Sequence, residues 1–63
     1  MNLLATYTDD HRPSIVLTDT ETEQVLHTIE PTADTRASLL WRAQNWATQH
    51  GHTITDIDRS NLT

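Results

Sequence analysis

The sequence predicts an α+β domain with the order β-β-β-α-β: a three-stranded antiparallel meander, one helix, and a short C-terminal strand. Three observations predict it. Short runs of alternating apolar and polar residues, with six of the chain's twelve threonines, fill the first thirty positions, and β-branched side chains suit a pleated surface. A helical spacing of apolar residues then runs through SLLWRAQNWATQ. The single glycine, Gly51, stands just past that stretch, where a helix commonly ends in a left-handed residue that glycine adopts at least cost.

The elements follow in order. NLLATYT (2–8) reads as a strand closed by DDHRP, a turn-forming cluster in which Pro13 restricts the chain. SIVLT (14–18) is a second strand, DTETE (19–23) a polar loop, and QVLHTIE (24–30) a third strand. Pro31 stops it. Thr32 or Asp34 caps the helix, and Asp34 also suits the positive end of the helix dipole. The helix is expected from about residue 33 to residue 50, with His50 in its last turn, where positive charge is favoured. HTITDID (52–58) is the fourth strand, and RSNLT (59–63) a frayed tail of this one domain, residues 1–63.

At about 100° per residue, Leu39, Leu40, Ala43, Trp46, Ala47 and His50 share one helix face. Trp46 is therefore the large core group, while Trp41 projects almost opposite, among Ala37, Asn45 and Thr48. Alternation puts Leu3, Ala5, Tyr7, Ile15, Leu17, Val25 and Ile29 on the sheet face beneath the helix. It leaves Leu4, Val16 and Leu26, flanked by Thr6, Thr18 and Thr28, on the other. One helix covers one face of a sheet, so the second face needs a cover from Ile54, Ile57 and Leu62 or stays open as an interaction surface.

Composition narrows the function. The chain has 63 residues, no cysteine and a net charge of −5 from nine acids against four arginines. A domain this small without disulfides or thiolate metal sites has a thin core and gains from association. The charge argues against phosphate backbones and anionic membrane surfaces, and no run approaches the roughly 20 apolar residues of a membrane span. A second copy or a basic partner protein fits better, in a cytoplasmic setting. The four arginines form no stripe, and Tyr7 alone could serve as a stacking platform, so a nucleic-acid interface is the weaker alternative.

The remaining chemistry is sparse. His11, His27, His50 and His52 invite a metal, but a glycine between His50 and His52 is expected to send their side chains apart, and no helical His pairing exists. There is no phosphate-cradling glycine loop and no cysteine nucleophile. YTDD after the first strand and TDID in the last could bring Asp9 or Asp10 near Asp56 or Asp58. With this element order, those acids make the chain similar to the opening half of a ribonuclease-H-like domain. The resemblance implies a first-strand and a fourth-strand aspartate holding Mg²⁺ with a helix glutamate, yet the helix stretch here contains no Glu. The expectation is a small acidic, non-enzymatic interaction or regulatory module that forms a homodimer, with no metal or cofactor. Its contact residues are Trp41, Leu4, Val16, Leu26, Asn45 and Thr48; the alternative is a nucleic-acid-binding or metal-dependent, ribonuclease-H-like fragment.

Overall fold

The structure, a computed structural model, describes residues 1–8, 13–30 and 36–61, without the side chain of Arg36. Its order is β1 (Asn2–Tyr7), β2 (Ile15–Asp19), β3 (Val25–Ile29), α1 (Arg36–Gln49) and β4 (Thr53–Asp58). The α+β arrangement is the expected one. Asp9, Asp10, His11, the proposed caps Thr32 and Asp34, and Leu62 lie outside the described residues.

All four strands form one mixed sheet in the order β3-β2-β1-β4. β1 and β2 pair antiparallel, as do β2 and β3, whereas β4 lies parallel to β1. A parallel neighbour needs a crossover, and α1 supplies it. β4 thus extends the edge of the sheet and does not fold across its open face. Ile54 and Ile57 accordingly pack on the same core as the helix.

Each edge strand carries a bulge. Leu17 pairs with His27 and Thr18 with Val25, so Leu26 is an extra residue. Leu3 pairs with Ile54 and Leu4 with Asp56, so Thr55 is another, its hydroxyl donating to the Leu3 carbonyl at 3.5 Å. The first bulge corrects the expected register. It puts Val25 opposite Thr18, on the open face, where it is 61% exposed. Simple alternation had assigned it to the core, but one inserted residue reverses the sidedness of everything beyond it.

The core lies between the sheet and the helix. Leu3, Ala5, Tyr7, Ile15, Leu17 and Ile29 from the strands meet Leu39, Ala43 and Ala47 of α1, with Leu40 and Trp46 partly buried beside them. Among the described residues the sheet and the helix are the two layers.

The end of α1 is fixed by backbone geometry. The Gly51 N–H donates to the Thr48 carbonyl at 3.2 Å and the His52 N–H to the Ala47 carbonyl at 2.7 Å, with Gly51 at φ 74°. This is a Schellman cap. A Cβ at Gly51 would meet nothing within 4 Å, so only backbone strain opposes a side chain there. Gly51→Ala is expected to lower stability by about 1 kcal/mol in urea unfolding.

Asp19, at the end of β2, is 6% exposed. Its carboxylate accepts the Glu21 N–H at 2.9 Å, and its backbone closes the β2–β3 turn through Gln24 and Glu23. Beyond β4, two hydrogen bonds hold Ser60 and Asn61. The Ser60 N–H donates to Asp58 at 2.8 Å, and the Asn61 amide donates to the Tyr7 carbonyl at 2.8 Å.

Candidate functional site

Two places stand out. The first is the sheet face that α1 does not cover. Cross-strand register assembles it: Leu4 lies beside Thr18 and Asp56, and Thr6 beside Val16 and Asp58. Val16 in turn neighbours Thr28, and Val25 neighbours Thr18. Leu4 and Val16 are half-buried by these neighbours, while Val25 and Leu26 are 61% and 36% exposed on the β3 edge. Three of the expected contact residues, Leu4, Val16 and Leu26, thus lie on β1, β2 and β3; Val25 joins them, and the bulge is why alternation missed it.

The acids at the far edge of this face serve the local backbone. Asp56 accepts the Ile57 N–H at 2.9 Å. The Asp58 carboxyl is held below its ordinary range chiefly by the side-chain hydrogen bond from Ser60 and then by the Ser60 N–H. Among the described residues no group of three or more His, Cys, Asp and Glu is placed to hold a metal ion, and α1 presents no Glu. The described residues therefore do not fit the Mg²⁺ site that the ribonuclease-H-like resemblance implies; Asp9 and Asp10 lie outside them.

The helix carries the other three expected residues. Trp41 is 66% exposed, and Asn45 and Thr48 are exposed as well. They do not join the open sheet face, because α1 lies on the opposite side. Asn45 instead lines a groove of about 380 Å³ with His27, Thr28, Ile29, Glu30, Arg42, Trp46 and Gln49. Thr48 borders a second groove with Gln44, Ala47, His52, Thr53 and Ile54.

The second place is Trp46, expected as the large core group but only partly buried, and the gathering of three histidines on it was not expected. The His27 ring, from β3, lies 4.6 Å from the indole and 1° from parallel. His50 stacks at 4.3 Å, and His52 reaches within 5.8 Å. The His50 and His52 rings lie 6.5 Å apart and 11° from parallel. The Schellman cap folds the chain back at Gly51, so the glycine brings these two rings together, contrary to the expected divergence. The available signals were the four-residue step from Trp46 to His50 and the placement of His27 on a core-facing strand position.

With this geometry in view, no protein-family model, curated protein or solved structure matches the chain. No helix among the described residues is long and apolar enough to cross a membrane.

Proposed function

We propose that the chain is a small acidic interaction module that self-associates through the open face of its sheet. The observation that carries this reading is one-sided cover: α1 and the core occupy one face, while Leu4, Val16, Val25 and Leu26 lie on or beside the other. Such a face, apolar along its middle and threonine-rich around it, suits stacking against another sheet.

A two-fold arrangement of two copies keeps their acids apart. In a two-fold dimer whose axis runs parallel to the strands, β4 of one protomer crosses β3 of its partner. Asp56 and Asp58 then meet Val25, Leu26 and Thr28, not each other, and the Leu4 and Val16 rows meet at the centre. Four strands of this length offer about 350 Å² of sheet plane per copy. The total is about half of a standard interface, so the dimer exchanges with monomer at micromolar concentrations or above. This is a binding role and not an enzymatic one, and it is consistent with a cytoplasmic protein. The acidity and the protruding Trp41 support a separate contact with a basic partner protein, since an exposed indole receives arginine and lysine well.

Sedimentation equilibrium over rising concentration tests the reading. The chain is expected to approach twice its monomer mass, and Val16→Asp is expected to hold it monomeric with an unchanged circular dichroism spectrum. Trp41→Ala is expected to leave self-association intact. A chain that stays monomeric throughout, or a Val16→Asp variant that dimerises normally, overturns it.

A further inference from the structure

We propose that the outer edge of β3, with the groove that α1 makes beside it, takes up an extended segment of a basic partner protein as a fifth strand. The inference deepens the reading of a basic partner above and rests on it; it is independent of self-association through the open sheet face.

The backbone provides the first reason. The Thr8 N–H donates to the Ser14 carbonyl at 3.1 Å and the Thr20 N–H to the Asn2 carbonyl at 3.2 Å. Even-numbered residues along β2 therefore turn their backbone groups to β1. Odd-numbered ones turn theirs to β3, as the Asp19 N–H does in donating to the Gln24 carbonyl at 2.9 Å. Ile15 faces Ile29 and Leu17 faces His27, so these pairs exchange the ladder bonds. Thr28, between them, aims its N–H and C=O away from the sheet.

The two edges of the sheet differ in their guards. β4, TITDID, carries Asp56 and Asp58, charges of the kind that discourage pairing with another chain. β3, VLHTI, has no charged residue and no proline, and its bulge at Leu26 leaves His27–Ile29 in regular register. The edge around Thr28 is open to a partner.

Beside that edge lies room for side chains. The groove of about 380 Å³ runs between His27–Glu30 and the α1 residues Arg42, Asn45, Trp46 and Gln49, with no β2 residue in its wall. A strand added about 4.8 Å from β3 pairs with Thr28 and sends every second side chain into this groove. Trp46 and Ile29 suit an aliphatic stem there, while the Asn45 and Gln49 amides and the Glu30 carboxylate suit a basic tip.

Charge selects the partner. Glu21 and Glu23 are exposed before β3 and Glu30 is exposed after it, so acids bracket the edge of a chain whose net charge is −5. Arg42 is opposed within the groove by Glu30. One turn before Asn45, Trp41 adds an indole that is 66% exposed, a surface that attracts cations. An extended segment alternating apolar residues with lysine or arginine matches the backbone, the groove and the field together.

The probe is a short capped peptide alternating valine with arginine, added to the full chain and followed by NMR of its amides. The Thr28 N–H and the side-chain amides of Asn45 and Gln49 are expected to shift together, and Thr28 exchange to slow about ten-fold or more. The same peptide N-methylated at alternate residues keeps its charge but loses donors, and is expected to bind about ten-fold or more weakly. A peptide alternating valine with glutamate is expected not to bind. Thr28→Pro, at a position where an edge strand tolerates proline, is expected to abolish binding; should that variant not fold, the N-methylated peptide decides. Equal binding of the N-methylated or the acidic peptide overturns the proposal, and so does a basic peptide that leaves Thr28 unmoved. Thr28 exchange that slows with rising concentration of the Val16→Asp variant alone assigns the edge to a second copy and also overturns it. Sedimentation without peptide reads the sheet-face dimer separately.

Discussion

Leu39→Ala is expected to unfold a large fraction of the protein. Leu39 is fully buried and belongs to the core cluster that joins α1 to β1, β2 and β3. Truncating a buried leucine costs about 2–5 kcal/mol, through lost transfer energy and the cavity left behind. A single core in a domain of this size supplies only about 3–5 kcal/mol in total. No disulfide backs it up. The substitution therefore removes most or all of the margin. Chemical denaturation followed by far-ultraviolet circular dichroism should show a transition already begun without denaturant. Leu39→Met, which keeps volume and apolarity, is expected to cost less than about 1.5 kcal/mol and to fold. If Leu39→Ala melts like the parent chain, the helix is not docked as described.

The two tryptophans give the second contrast. Trp46→Ala is expected to lower stability by about 2 kcal/mol, less than the 3–5 kcal/mol typical of a fully enclosed aromatic because this indole is half-buried. Trp41→Ala is expected to change it by less than about 0.5 kcal/mol, since that ring is 66% exposed. Loss of Trp46 removes the surface on which His27 and His50 stack and a side chain that packs against the core. Paired urea titrations measure the difference. Equal costs for the two variants would contradict the assignment of faces on α1.

That assignment could be made from residue spacing alone. A 14-residue helix puts Leu39, Ala43 and Ala47 on one stripe by its period, and a lone glycine marks where it stops. The sidedness of β1 and β2 was equally readable, because both strands run regularly from end to end. Three features were not. A bulge depends on how two strands meet and leaves no mark in either one's local pattern, so Val25 was placed on the wrong face. The position of β4 beside β1 is a long-range pairing, and HTITDID carries no signal of its neighbour. The convergence of His27 with His50 and His52 joins a strand to a helix end more than twenty residues away. Helix periodicity and cap chemistry are local, whereas bulges and cross-element ring contacts arise only in the assembled sheet.

The parallel seam between β1 and β4 has a consequence for biosynthesis. Asn2 pairs with Thr53 and Thr6 with Asp58, so one flank of β1 waits for roughly fifty further residues to be translated. Until those residues clear the ribosome, the nascent polypeptide displays a bare β-edge, and ordering of the last segment must await late, distant contacts.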